Sequence, residues 1–438
     1  MTHSSSSGHG LSTARLARIG SLFQSRYLDT KRLPCAVTLV ERRGQIAHHS
    51  ALGYMDVERQ RPIQDDTIFR IYSMTKPLTS IAFMMLVEEG LVALDDPVHR
   101  FIPQWRELGV YEAGFLDTFR TRRTSRPMRM VDLLRHTSGL TYDFQQRTNV
   151  DAAYRKHGLG QVGGKVGLDA MIDGLAKMPL EFSPGDAWNY SVSTDVLGYL
   201  VGKIAGLPFE RFLRERILSP LGMHDTDFHV PESKASRLAA CYRFTSERPP
   251  DRSPSGASAG ALERPPDRSP SGASAGALER PMHLVDDPQS SGLRREPAFI
   301  SGGGGLVSTL ADYLQFCRML LNGGSLNGVR IISPKTLELM TANHLPNGKD
   351  LTQLSVSLFS EATYAGVGFG LGFAVTLDPA RTLLPGTAGD FSWGGMASTY
   401  FWVDPREELI VIFMTQLMPS ATYPLRRELR TLVYSSFE

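Results

Sequence analysis

The segment Ser80–Val87, SIAFMMLV, is apolar on every face of the helix it would form. An amphipathic helix can lie on a surface, whereas one that is apolar all round has to be enclosed by other elements on every side. That demands a chain able to bury a sizeable core. The 438 residues, 42% hydrophobic and 21% charged, meet the demand. Gly90 is placed to end the helix. Ahead of the apolar run stands Ser73-Met74-Thr75-Lys76, which brings polar chemistry to the start of a buried rod.

The enclosing elements are visible on both sides of this helix. Residues 35–56, CAVTLVERRGQIAHHSALGYMD, read as a strand, a charged turn at Arg42–Gly44 and a second strand, an antiparallel hairpin. From about 96 to 230 the pattern is mostly helical, broken by Gly and Pro loops. After 300 it changes to Gly-rich turns and strands, GVGFGLGFAVTL and then DFSWGGMASTYFWVDPREELIVIFMTQ, whose last two strands join across Pro405–Glu408. A final helix is expected over Ala421–Tyr434. This order predicts an α/β protein with an antiparallel sheet flanked by helices and an all-helical domain inserted in it. Its parts are a flexible N-terminus at 1–12, a discontinuous α/β domain at 13–95 and 295–438, and a helical domain at 96–240.

Between them ERPPDRSPSGASAGAL stands twice without a difference, at 247–262 and 263–278. Pro, Gly, Ser and Ala dominate it, so it cannot bury enough surface to offset an ordering entropy of roughly 1–2 kcal/mol per residue. A disordered loop is expected over 245–285. Each copy holds GASAG, which fits the G-x-S-x-G signature of a nucleophile elbow. An elbow needs a strand feeding a sharp turn feeding a helix, and neither flanks these copies. Ser258 and Ser274 are therefore set aside.

The better nucleophile is Ser73. A serine hydroxyl is weak until a base is held against it, and Lys76 lies one helical turn further on the same face. Pro77 is tolerated because amides of the first turn have no intrahelical partner. The same position leaves the Ser73 N–H free to bind an oxyanion at the positive helix end. That end and the packed core would also lower the proton affinity of Lys76.

Five stretches carry a wider resemblance. They are FRIYSMTKPLTS at 69–80, LLRHTSGL at 133–140, FSPGDAWNYSVSTDVLGYLV at 182–201, SGGGGLVSTLADYLQF at 301–316 and WGGMASTYFWVDP at 393–405. In order and separation the chain resembles the serine β-lactamase and penicillin-binding-protein superfamily. Within it, the chain is similar to the family VIII carboxylesterases, which look like class C β-lactamases. The resemblance runs from about residue 15 to 435 apart from the repeat, and implies the β-lactamase/transpeptidase-like fold. It matches Ser73 to the acylated serine, Lys76 to the lysine sharing its proton and Tyr190 to the tyrosine of the second motif. A tyrosine beside an ammonium can be held as phenolate and pass protons between nucleophile, leaving alcohol and water. Trp393, Gly394 and Gly395 occupy the third-motif strand as substrate-binding positions, where the glycines would let substrate approach the backbone. The N–H of Met396 becomes the second oxyanion donor beside that of Ser73. Tyr142 matches a pocket-lining position. His136 of HTSGL is implied to be structural, and no spacing favours Asp195, Glu181 or Asp312 as a triad member.

Two departures matter for substrate. Trp393 stands where the resemblance would have a lysine that holds a substrate carboxylate, and Val192 stands where it would have an amide-binding asparagine. Losing a charge-assisted contact removes on the order of 1.5–3 kcal/mol of binding. The expectation is a serine esterase for short-chain carboxylic esters with no metal or cofactor. A β-lactamase, a D-alanyl-D-alanine carboxypeptidase, an acyltransferase and a catalytically silent binding homologue stay open as alternatives.

Charge and cysteine content set the remaining expectations. A net charge of +2 gives no basic field for nucleic acid, and no stretch approaches eighteen apolar residues, so neither nucleic-acid nor membrane partners are expected. Cys35, Cys241 and Cys317 are far apart without metal-ligand spacing and read as reduced structural thiols in a cytoplasmic protein. The partner expected is a small-molecule ester, and the oligomeric state is not fixed by these features.

Overall fold

A computed structural model describes residues 9–160, 164, 166–245, 282–356 and 365–438. The chain opens with helix α1 (Thr13–Phe23) and the strands β1 (Cys35–Arg42), β2 (Gln45–Asp56) and β3 (Arg61–Pro62). Helix α2 (Thr75–Glu88) follows, the inserted region contains α3 (Ser193–Ala205), and after it comes α4 (Leu310–Leu321). The C-terminal part supplies β4 (Val367–Phe369), β5 (Ala374–Thr376), β6 (Phe391–Gly394), β7 (Tyr400–Asp404), β8 (Leu409–Met414) and helix α5 (Leu425–Tyr434). These eight strands form one sheet in the order β4-β5-β6-β7-β8-β1-β2-β3. Every pairing is antiparallel, with Val37 opposite Met414 at the seam between the early and late strands.

Both faces of this sheet are covered, which is why β8 reads LIVIFM with no polar alternation. Ile410, Ile412 and Met414 face the core around α2 and α4, while Leu409, Val411 and Phe413 pack with α1 and α5. Helix α2 sits where its composition requires, with Thr75 through Leu86 all buried. It packs against α3, and Gly90 closes it in the left-handed region at φ 70°.

Four sequence expectations change. The inserted domain is not all-helical: Val110–Phe115 and Thr118–Arg122 form a hairpin, as their β-branched and aromatic residues favour. The N-terminus is pinned from residue 9, since Leu11 is buried in a bridge to Phe437 and the Ser12 N–H donates to the Ser436 carbonyl. The expected loop does not run to residue 285, because Met282–Asp286 is a strand pairing with Cys241–Phe244, which in turn pairs with Leu417–Met418. The last helix starts at Leu425 rather than at Ala421. Residues 1–8 and both copies of the repeat, with Ser258 and Ser274, lie outside the described residues. Cys35, Cys241 and Cys317 are free and buried. Among the described residues no helix is long and apolar enough to cross a membrane, and no His, Cys, Asp and Glu cluster is placed to hold a metal ion.

Candidate active site

Ser73 sits in a single 3-10 turn, Tyr72–Met74, that leads directly into α2. Tyr72 is held in the left-handed region at φ 42°, a conformation that a bulky side chain resists. The turn thereby leaves Ser73 half-buried while Met74 and the helix behind it are fully enclosed. Lys76 lies one turn on and is 1% exposed.

The three residues matched by resemblance come together. The Tyr190 hydroxyl is 2.6 Å from Ser73 Oγ, and Lys76 Nζ is 3.4 Å from the same oxygen. Lys76 Nζ also stands 4.5 Å from the centroid of the Tyr190 ring. Tyr190 reaches this point because α3 begins three residues later and α3 packs along α2. Two further acceptors hold the amine: the Gly303 carbonyl at 2.6 Å and the Tyr142 hydroxyl at 3.0 Å. Among the described residues no carboxylate makes an ion pair with it. Burial without a paired charge pushes Lys76 down to about 7, against a smaller upward pull from Asp195. The amine is therefore poised to exchange a proton near neutrality.

Asp195, which no spacing in the sequence favours as a triad member, is drawn into the site by the fold. It is 1% exposed in the first turn of α3. Its Oδ1 accepts from Ser301 Oγ at 2.5 Å and from the Gly303 N–H at 2.9 Å, and its Oδ2 lies 3.4 Å from the Tyr142 hydroxyl. Burial pushes its carboxyl up, opposed first by Lys76 and then by those hydrogen bonds. In sequence an acid in a first helical turn reads as an ordinary dipole partner. The available signal was its position inside an otherwise buried helix. Any side chain at Gly303 would displace these groups, because a Cβ would stand 2.5 Å from Asp195 Oδ2 and 2.8 Å from the Tyr142 oxygen.

Tyr142 is placed differently from a simple pocket wall. Its hydroxyl turns inward onto Lys76, and its ring stacks on Phe144 at 4.7 Å between centroids, with Phe144 39% exposed. Trp393 stands 5.5 Å from the Tyr190 ring and 5.3 Å, edge-on, from Phe369. The outer part of the site is therefore aromatic. Val192 is fully buried and offers no donor.

The two glycines of the third motif have a packing reason distinct from substrate approach. A Cβ on Gly394 would sit 2.2 Å from the Arg426 guanidinium, and one on Gly395 would sit 2.4 Å from the Ile71 carbonyl oxygen. The second contact brings the end of β6, and hence Met396, against the turn that carries Ser73. Arg426 of α5 also places a cation beside this strand, 3.4 Å from the Gly395 carbonyl, where the sequence motif itself has none.

The remaining candidates have other partners. His136, at φ 57° just after a short helix, shares a hydrogen bond with Ser191 Oγ at 3.3 Å. Burial and the nearby Lys76 hold its imidazole well below the usual value. Glu181 pairs with Arg147 at 2.7 Å, and Asp312 accepts from Thr226 Oγ1 and the Asp225 N–H.

A serine in a strained turn at the foot of a buried helix, beside a covered antiparallel sheet, defines the class: a serine hydrolase of β-lactamase/transpeptidase-like fold. The chain belongs to the Beta-lactamase family, which its sequence matches over residues 23–435. It is 36% identical over 396 residues to Protein Rv1367c of Mycobacterium tuberculosis, covering 89% of this chain and 88% of that one. It is 31% identical to Esterase EstB of Burkholderia gladioli, covering 96% and 95%. Among solved structures it superposes on EstCE1, described as a hydrolase with promiscuous acyltransferase activity. That match has a TM-score of 0.74 and 27% identity over 96% of this chain and 99% of that one.

Proposed function

We propose that the protein hydrolyses short-chain, uncharged carboxylic esters through an acyl-enzyme on Ser73. The observation that carries this reading is the contact of one serine oxygen with both a tyrosine hydroxyl at 2.6 Å and a buried amine at 3.4 Å. Ser73 Oγ attacks the ester carbonyl and its proton passes to the Tyr190–Lys76 pair, with Tyr190 the nearer relay. The tetrahedral oxyanion is held by the N–H groups of Ser73 and Met396. The pair then returns the proton to the departing alkoxide, leaving the acyl group on Ser73. Water attacks next, gives a proton to the same pair, and the acid leaves as Ser73 regains its hydrogen. Trp393, Phe144 and the Tyr142 ring favour apolar acyl or alcohol groups, and the buried Val192 provides no amide recognition.

The test is active-site labelling. A fluorophosphonate should modify Ser73, identified by mass spectrometry of the peptide, and Ser73→Ala should lose both the label and hydrolysis of p-nitrophenyl butyrate. Label on any other serine would discard this mechanism. A second outcome of the same intermediate is transfer to an alcohol, a reading that the description of EstCE1 favours. Product analysis with added methanol separates the two by the ratio of methyl ester to free acid.

A further inference from the structure

We infer that Asp195 is a positioning residue which, through Gly303 and Tyr142, fixes the direction in which Lys76 presents its lone pair to Ser73; this rests on the Ser73 reading above. A neutral amine has two N–H bonds and one lone pair, and Lys76 Nζ has three neighbours. The Gly303 carbonyl can only accept, so it takes one N–H at 2.6 Å. The Tyr142 oxygen could accept or donate. Its choice is set by Asp195: an ionised carboxylate accepts only, so the Tyr142 proton turns to Oδ2 at 3.4 Å. The Tyr142 oxygen is then left to accept the second N–H of Lys76 at 3.0 Å. What remains is the lone pair, and the remaining neighbour is Ser73 Oγ at 3.4 Å.

The same carboxylate anchors the other acceptor. Asp195 Oδ1 takes the Gly303 N–H at 2.9 Å, so the residue whose carbonyl holds Lys76 is itself tied to the acid. Ser301 Oγ, at 2.5 Å on Oδ1, keeps the carboxylate from rotating. The acid thus acts on the amine through two neutral intermediaries. An immediate ion pair would lock the lysine in its charged form, and this arrangement avoids one.

The groups facing Lys76 are Asp195 from α3, Tyr190 from the approach to α3, Tyr142 and Ser73, with the His136 ring 5.0 Å from that of Tyr190 and near enough to feel the lysine's charge. Of these Asp195 alone carries a negative charge that favours the ammonium. Removing that charge while keeping the shape should let Lys76 lose its proton more easily. In Asp195→Asn the acid limb of kcat/KM should move to lower pH by roughly one unit. The plateau should fall roughly tenfold or more, because the new amide can donate to Tyr142 and turn its proton toward Lys76. Tyr142→Phe deletes a single oxygen and preserves the ring. It should lower kcat roughly tenfold while KM stays near the wild-type value.

The experiment measures pH profiles of p-nitrophenyl butyrate hydrolysis for the full chain and both variants, with circular dichroism as the check on folding. A limb that stays in place in a folded Asp195→Asn protein overturns the inference, since a merely structural acid would lower the rate at every pH alike. If Asp195→Asn does not fold, Tyr142→Phe decides: unchanged kcat refutes the relay. Fluorophosphonate labelling of wild-type Ser73 keeps the two readings distinguishable, because it can succeed while the pH limb fails to move.

Discussion

Two buried cations flank the proposed nucleophile, Arg70 three residues before Ser73 and Lys76 three residues after it, and the fold treats them in opposite ways. Arg70 is saturated. Its guanidinium meets the Asp286 carboxylate at 2.7 and 2.9 Å, the Ala239 carbonyl, Gln416 Oε1 and Ser291 Oγ. Lys76 is equally buried but has three neutral partners, with its nearest carboxylate held off by a glycine peptide and a phenol. A guanidinium stays charged whatever its partners, and in direct contact with an acid it ties segments together, here the strand Met282–Asp286 to the approach to α2. An amine with dipoles alone is left with a proton that it can lose. Burial depth alone does not separate the two cations; the side chain, guanidinium or amine, and the partner, acid or dipole, do so together.

The largest effects should come from breaking the reactive half of that comparison. Ser73→Ala should lower esterase turnover by roughly 10⁴-fold or more with the fold intact, because nucleophile and base act as a unit. Tyr190→Phe should cost roughly 10²–10⁴-fold, the usual range for a proton-transfer group, read in the same assay. Ser258→Ala combined with Ser274→Ala should leave turnover near wild type, and a loss there would return the chemistry to the repeat. For the wild-type enzyme, kcat/KM should fall as pH drops through about 7. That limb follows from the sign of the shift: Lys76 is depressed to about 7, is neutral above it, and is protonated and useless as a base below it.

Much of this could be read before the structure because apolar runs and short motifs are local. The α2 segment and Ser73 with Lys76 each announce themselves within a few residues of sequence, and Tyr190 ahead of α3 came through the resemblance of the longer stretches. What stayed hidden depends on contacts between distant segments. Asp195 meets Ser301 and Gly303 more than a hundred residues away, and apart from its place in an apolar stretch nothing in STDVLGYL distinguishes it from a helix-start acid. The packing role of Gly394 needs Arg426 of α5. The hairpin at Val110–Arg122 was lost in a stretch with helix-like surroundings, although its own alternation supports strands.

The structural half of the comparison is tested by Arg70→Met. It removes the guanidinium donor from the Ala239 carbonyl and leaves Asp286, 32% exposed, to partial solvation, while Gln416 Oε1 keeps the backbone N–H of residue 70 and Ser291 Oγ the Leu293 N–H. Stability in urea should drop by about 3 kcal/mol. The acid limb of kcat/KM should stay at about pH 7, and movement of that limb would mean the two cations are coupled.

The smallest and sharpest effect is the same substitution at the other cation. Lys76 falls from an ordinary 10.5 to about 7 on folding. Below pH 7 both folded and unfolded chains hold the proton, and the folded chain bears the full penalty of burying it. Between about 7 and 10.5 the unfolded chain holds a proton that the folded chain has released, so stability rises with pH across that window. Lys76→Met removes the penalty and fits an apolar setting, at the expense of two acceptors, Gly303 and Tyr142, left without a donor. The net should be a gain of roughly 1–2 kcal/mol in urea at pH 6 that shrinks toward pH 10, in a protein that no longer turns over ester. Arg70→Met and Lys76→Met would then change stability with opposite signs. If Lys76→Met instead destabilised as Arg70→Met does, the amine would be a structural cation after all, and the distinction between the two would fail.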